Sequence, residues 1–421
     1  MLLIRNATVL TMTGTILRPG YVWIEPPLIR AVGSGEPPQD LLAGYAGPVL
    51  DAEGGWLMPG MIDAHCHVGL FNDGLREEGD DGNEMTDPVT PQLQAIDGIF
   101  QDDRCFSEAL AYGVTTVMTG PGSANVLAGR FALLRTAGRT IESMAVNPSA
   151  AMKAAFGENP KRIYGHGKAK APGTRMATAS ILRESLVKAS HYRDEKKRQA
   201  ALPNKGDTAA QETDLRWEAL LPVLCGDQLL KIHAHRTDDI LTAMRIANEF
   251  GLRYTLDHCT EGYLIADLLA HAWHEGQKPG HGCGQPGLGK LSGIIVGPLL
   301  SDRSKPELAR SSIENPAILA ATGIPVAIMT DHPVIPIQYL PVSAAIAVRA
   351  GMSEDHALAA ITIQAARLCD AGDCLGSIEA GKQADLALFD GHPLDFRSRT
   401  RLVISQGLVA FSSEASQGDE A

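Results

Sequence analysis

Four stretches of the 421-residue chain end in side chains that bind metal ions: DAHCH with His65 and His67, KIHAH with His233 and His235, LDH with Asp257 and His258, and TDHP with Asp331 and His332. Each follows an apolar, β-type run. In a strand, residues two apart share a face, so His65 and His67 present two imidazoles to the same side, as do His233 and His235. His332, one residue past Asp331, faces away from it if the strand continues. Imidazole nitrogen with carboxylate oxygen suits zinc, with Mn, Fe, Co or Ni as other candidates, and catalytic zinc sites keep a position open for water. The ligand set read from these stretches is His65, His67, His233, His258 and Asp331.

Two divalent ions would carry four positive charges, against one negative charge from that set, so a bridging anion is wanted. Lys153, in the small and apolar run NPSAAMKAAFG, has two readings. It snorkels to the surface, or it is buried as a neutral amine that reacts with carbon dioxide to give a bridging carbamate.

Residues this far apart in sequence meet only if the fold gathers strand ends. From Met61 onward apolar strands alternate with amphipathic helices: helix 239–250, strand 252–257, helix 263–274, strand 294–299, helix 317–322, strand 326–330. That rhythm predicts an α/β fold, a (β/α)8 TIM-like barrel, whose strands deliver side chains to one C-terminal face. On it, His65 and His67 belong to strand one, His233 to strand five, His258 to strand six and Asp331 to strand eight. The first residues read instead as short strands (2–10, 21–25, 29–32, 49–51), and β pattern returns at 384–389 and 402–411 after helices 342–350 and 353–369. The predicted organisation is a small discontinuous β-sandwich from residues 1–58 and 380–421 beside a barrel of residues 59–379. Two stretches break the rhythm. Residues 157–215 sit where a barrel places an active-site loop or extra helices. Residues 274–292, dense in glycine and proline, read as an irregular insertion able to reshape one wall of the pocket. His271, His274, His281 and Cys283 fit no ligand spacing and are assigned to loop.

Composition excludes several classes. A net charge of −12 argues against nucleic acid, and no apolar run reaches membrane-spanning length. Seven scattered cysteines without a disulfide or zinc-finger pattern point to a reducing, cytoplasmic setting. A small-molecule substrate is expected.

The assembled pattern resembles the amidohydrolase superfamily over nearly the whole chain, through LMPGMIDAHCH (57–67), GVTTV (113–117), TDHP (330–333) and GSIEAGKQADL (376–386). PGSANV (121–126) and GENPKR (157–162) are similar to its imidazolonepropionase-like and prolidase-like branch. The resemblance implies a binuclear zinc centre, N6-carboxylysine at Lys153 bridging two metals, Asp331 as both ligand and proton shuttle, and a homo-oligomer. It implies hydrolysis of a C–N bond, amide or cyclic amide, in a dipeptide, N-acyl amino acid or imidazolone-type ring by metal-activated hydroxide. An acid three residues past the strand-five histidine serves the superfamily's deaminases. Arg236 stands there, against a mononuclear aminohydrolase acting on a heterocyclic amine. A non-catalytic scaffold conflicts with the intact ligand set. Gln364-Ala365-Ala366 replaces the family's Asn-Pro-Ala, a matter of packing. Candidate substrate contacts are Ser123 and Asn125 in a turn, His235 beside His233, and Lys161, Arg162, Arg236 and Arg303 as carboxylate partners.

Overall fold

A computed structural model describes residues 1–43, 45–201 and 212–414. Its strands are β1 Leu2–Leu10, β2 Ile16–Glu25, β3 Leu28–Ser34, β4 Val49–Asp51, β5 Trp56–Pro59, β6 Met61–Cys66, β7 Val114–Thr119, β8 Leu127–Arg135, β9 Ala145–Ala155, β10 Leu229–Ala234, β11 Arg253–His258, β12 Lys290–Val296, β13 Val326–Ile328, β14 Leu386–Phe389, β15 Thr400–Ser405 and β16 Leu408–Ser412.

β6 to β13 form one eight-stranded sheet in chain order. They are the predicted barrel strands, with Lys153 on the fourth, His233 on the fifth and His258 on the sixth. β6 is buried at every position, as a strand walled on both faces must be. The sheet's two edge strands are drawn together through Asp63 on β6, whose Oδ2 accepts the Thr330 N–H at 2.9 Å and its hydroxyl at 2.6 Å. The His67 N–H also donates to the His332 carbonyl at 2.9 Å. Asp63 thus fastens the end of β13 to β6, and burial pushes its carboxyl up to about 6.

One strand departs from the all-parallel repeat: β8 runs antiparallel to both β7 and β9. The connection 120–126 from β7 is too short for a helical crossover, so the chain turns straight back. Because it begins at the strand-end face, that turn contributes to the site.

Both chain ends supply the second sheet, ordered β16-β15-β14-β5-β1-β2-β3 with β4 on β1. Ile4, Val9, Val22, Leu57, Leu386 and Ile404 pack in its core. β5 runs straight into β6 through Gly60, where a Cβ would meet Thr115 Oγ1 at 2.0 Å. Only glycine fits this join. The predicted run 402–411 is a hairpin, β15 and β16, and helix 353–369 is two helices, Glu354–Ala360 and Ile363–Leu368. Ala365 and Ala366 are fully buried against barrel residues such as Ile62, Leu229 and Ala327, in keeping with a packing role.

The stretch 157–201 holds extra helices, including the long Arg175–Ala200; residues 202–211 of the predicted insertion lie outside the described residues. The glycine-rich stretch is placed differently from the expectation. Gly284 donates to the Gly251 carbonyl, Gly287 to Asn248 and Lys290 to Leu252, so the stretch lies against the N-terminal ends of β11 and β12. It does not shape the pocket, because a segment leading from a helix into the next barrel strand belongs to the opposite end. Among the described residues no helix is long and apolar enough to cross a membrane.

Candidate metal centre

At the C-terminal rim of the barrel two groups of ligand atoms gather, each within 4.8 Å: His65, His67 and Asp331, and His233, His235 and His258. The five residues read from sequence come together here, and His235 joins them. The first group is set by β6 and the end of β13. Asp331 Oδ1 lies 3.3 Å from His67 Nε2 and 3.7 Å from His65 Nε2. The second comes from β10 and β11, with the His233 and His258 ring centroids 4.3 Å apart.

Hydrogen bonds on the far ring nitrogens aim the near ones. His67 Nδ1 is 2.7 Å from the Gly120 carbonyl and His258 Nδ1 is 2.9 Å from that of Gly297. A carbonyl only accepts, so each Nδ1 carries the proton and each Nε2 keeps a lone pair. His65 Nδ1 meets Asp257 Oδ2 at 2.5 Å, the carboxylate–imidazole pairing that orients a metal ligand. Asp257 is in turn held by the Thr255 hydroxyl at 2.8 Å and the Lys231 ammonium at 3.0 Å. Burial raises its carboxyl, but Lys231 and then His65 outweigh burial and hold it far below the ordinary range.

His233 provides the test of whether an ion fits. The ring is buried, and neither nitrogen has a partner. Leaving a buried polar group bare costs on the order of 1–3 kcal/mol. A bound cation removes that cost. Burial, followed by neighbouring positive groups, holds His65 and His233 well below their usual range. His258 lies there for the same chief reason, despite the opposing pull of Asp331. His235 is lowered to about 3, burial again first and Lys305 next. All are neutral near pH 7, the form that binds metal. Asp331 is raised by burial but pulled down more by His258 and His67, so it is ionised.

Two lysines lie fully buried under these ligands, directly opposite one another on β9 and β10. Lys231 is spent: besides Asp257, it donates to the Ala64 carbonyl at 3.0 Å. Lys153 forms no salt bridge among the described residues; its Nζ sits 3.1 Å from His65 Nε2, and burial pushes it down to about 8. The snorkelling reading is thereby corrected, since its position on β9 points it into the barrel.

Three non-glycine residues with left-handed backbone cluster here: His258 at φ +69°, Cys259 at +47° and Asp331 at +56°. The turn at His258 lets adjacent Asp257 and His258 both serve the site, which strict strand alternation forbids. His332 lies outside the ligand groups; its Nδ1 accepts the Ile337 N–H at 3.2 Å.

The rim opens into a cavity of about 960 Å³ lined by His67, His233, His235, His258 and Asp331, with Ser123, Asn159, Arg303 and Lys305 on its walls. Ser123 and Arg303 are where the sequence reading put them, although Arg303 is held by the Ser311 carbonyl at 3.0 Å. Asn125 does not reach the cavity. It is buried, accepting from the Tyr164 hydroxyl at 2.5 Å and donating to Thr90 Oγ1 at 2.8 Å, so it ties loops together. Arg162 is exposed on the turn Arg162–His166 and Arg236 pairs with Asp238 at 3.0 Å; neither lines the cavity. Among the described residues, His271, His274, His281 and Cys283 form no ligand group.

Asp63, Lys231, Lys305 and Glu307 escaped sequence reasoning, and Asp257, read there as a strand-end metal-binding side chain, instead orients His65. Lys231 carried a signal, standing two residues before His233 on the same strand face. Glu307, fully buried in the loop after β12, carried none; its Oε1 has no hydrogen-bond partner and lies 3.7 Å from His235 Nε2.

The family model described as the amidohydrolase family matches residues 56–416. Among solved structures, the chain is similar to an amidohydrolase from Thermotoga maritima MSB8, with 38% identity, a TM-score of 0.88, and coverage of 98% of this chain and 100% of that one. It is 30% identical over 396 residues to amidohydrolase tasK of Hapsidospora irregularis, covering 89% of this chain but only 38% of that relative's length. A prolidase solved with N-methylphosphonate-L-proline shares the fold, with 17% identity, a TM-score of 0.58, and coverage of 98% of this chain and 100% of that one.

Proposed function

The chain belongs to the amidohydrolase family, and from that premise we propose that it hydrolyses a C–N bond, amide or cyclic amide, of a small molecule such as a dipeptide, an N-acyl amino acid or an imidazolone-type ring. The observation that carries this reading is the convergence of two ligand triads on one cavity, with a buried, uncharged-ready Lys153 beside them.

In this proposal His65, His67, Lys153, His233, His258 and Asp331 hold two divalent ions, zinc by the nitrogen and oxygen donor set, and His235 is the neighbouring imidazole that faces substrate. Ions held there would polarise a carbonyl and bring the pKa of water toward neutrality. Lys153 takes the N6-carboxylysine form. Its lowered pKa brings the free amine within reach as a minor form near pH 7, which reaction with carbon dioxide draws off, whereas Lys231, equally buried, has its ammonium fixed by Asp257 and Ala64. The carbamate supplies the missing negative charge. Asp331, ionised and facing the cavity, takes a proton from water and returns it to the departing nitrogen, without which an amide does not release its amine.

Arg236 supports amide over amine substrates, because its guanidinium is occupied by Asp238 and no acid stands at that position. Seven unpaired cysteines support a cytoplasmic setting. The test is a product screen with dipeptides, N-acyl amino acids, cyclic amides and heterocyclic amines. New carboxylate and amine from an amide are expected. Ammonia from a heterocyclic amine, with every amide left intact, would overturn the reading in favour of an aminohydrolase.

A further inference from the structure

At the N-terminal end of the barrel two segments distant in sequence cross in contact. One is the end of helix Leu221–Cys225, where Gly226 takes left-handed backbone and leads toward β10. The other is Gly282-Cys283-Gly284, in the stretch that leads into β12, whose two glycines also have positive φ, +75° and +73°. A Cβ on Gly226 would lie 2.0 Å from the Gly282 carbonyl oxygen and 3.3 Å from the Cys283 Cα. One on Gly284 would lie 1.9 Å from the Leu224 carbonyl oxygen. These contacts match residue 226 with 282 and 224 with 284, so the two backbones touch while running in opposite directions. Cys225 and Cys283 are the middle residues of the two segments and stand opposite one another. Opposite residues of neighbouring antiparallel backbones lie about 4.5–5.5 Å apart at Cα, and a disulfide spans about 4.4–6.8 Å.

Accessibility singles out the same two residues. Of the seven cysteines, Cys225 and Cys283 are exposed, Cys374 is partly buried and the other four are buried. Burial pushes the thiols of Cys66, Cys105, Cys259, Cys369 and Cys374 up, that of Cys369 to about 12. Thiolate, the form that attacks a disulfide, is therefore scarce at all five. The contact of the Cys283 thiol with the His281 carbonyl, at 3.7 Å, is weak and leaves the sulfur open to reaction.

We infer that Cys225 and Cys283 are a modification site, a thiol pair that closes to a disulfide on exposure to a low-molecular-weight disulfide such as oxidised glutathione. The thiolate of one cysteine attacks a glutathione sulfur, breaking that S–S bond and releasing one glutathione. The second thiolate then attacks the protein-bound sulfur, forming the Cys225–Cys283 bond and releasing the other glutathione. Two protein thiols are oxidised, one glutathione disulfide is reduced to two thiols, and the two protons pass from the protein to glutathione. β11 lies between β10 and β12 in the sheet, so the bond staples the lead-ins of two strands across a third. It does so at the end of the barrel away from the ligand groups, and it closes a long loop of chain, which stabilises the fold chiefly by restricting the unfolded state. In a reducing compartment the pair stays open, and an oxidising shift tightens the barrel.

The test treats the full chain with oxidised glutathione, blocks remaining thiols with N-ethylmaleimide and maps the peptides by mass without reductant. A linked pair of peptides holding Cys225 and Cys283 is expected, lighter by two hydrogens than the two reduced peptides. The protein should still run as a single chain on a denaturing, non-reducing gel. Its thermal unfolding midpoint should rise by about 3–5 °C, the size expected for closing a long loop in a chain of this length, and fall back with dithiothreitol. Cys225→Ser and Cys283→Ser, both at exposed positions, should fold as the wild type does, lose the linked pair and the rise, and retain glutathione on the remaining thiol. Glutathione or maleimide on both cysteines of the wild type would overturn the proposal, because the two sulfurs would then not meet. So would a bond between two chains, a bond from either residue to another cysteine, or a Cys225–Cys283 bond that leaves the midpoint unmoved.

Discussion

The two ends of the barrel are built from the same strands but obey different rules. At the N-terminal end, residues 274–292 fold back on β11 and β12 through backbone hydrogen bonds, and glycine stands where a side chain would collide: a Cβ on Gly284 would lie 1.9 Å from the Leu224 carbonyl. Arg253, at the start of β11, is paired there with Asp370 at 2.7 Å. At the C-terminal rim, His233 is buried with both nitrogens bare, a buried lysine lacks a carboxylate, and three residues hold left-handed backbone without being glycine. The difference teaches where stability has been given up for chemistry. A buried ring with both nitrogens bare beside a lysine without an ion pair marks the rim as a site that some other species completes.

The sharpest way to break that contrast is to find rim residues that behave like the opposite end. Asp331→Asn should lower turnover by about 10²–10⁴ while leaving unfolding stability within about 1 kcal/mol. Loss of fold together with activity would make Asp331 a structural residue.

Acid should expose the rim next. His235 titrates at about 3 and His332 at about 4 in the folded chain, both from burial first, whereas unfolded histidine titrates near its ordinary value of 6.5. Between those values the unfolded state binds more protons, so stability falls as pH is lowered from about 6.5 to 4. Asp63, raised to about 6, opposes this, because the folded state takes up its proton first. His65, His233 and His258 lie on the destabilising side as well, so the histidines win. Chelator-treated protein should lose a few kcal/mol over this window, followed by urea unfolding at stepped pH. A flat profile would mean these rings are protonated in the fold.

Gly284→Ala is the control at the other end: at φ +73° and against a backbone oxygen, it should cost about 2 kcal/mol, with kcat per folded molecule unchanged. The smallest effect sharpens the contrast most. In chelator-treated protein, His233→Leu should raise stability by about 1 kcal/mol, because it removes a buried polar ring that nothing satisfies. Destabilisation would show that the ring has a protein partner.

The fold was readable because barrel strands announce themselves as apolar runs and their last residues carried the chemistry: His65, His67, His233, His258 and Asp331 could be picked out two residues at a time. What escaped depended on geometry that spacing does not encode. Asp257 sits next to His258, and alternation assigns them opposite faces until the backbone turns at His258. Lys305 lies in a loop whose course is set by contacts distant in sequence. The arginines at 162 and 236 looked suitable by charge, but one is exposed and the other already has a partner. Residues 274–292 were recognisable as irregular, while their end of the barrel followed from connection order rather than composition.

The account turns on the two buried lysines being unlike, Lys231 held in an ion pair and Lys153 free to become the bridge. Elemental analysis of metal per chain, on wild type and Lys153→Ala purified side by side without chelator, tests this most directly. The account predicts about two ions per wild-type chain and a clear fall in the variant. About one ion, unchanged in the variant, would contradict it and make Lys153 a structural residue beside a mononuclear centre.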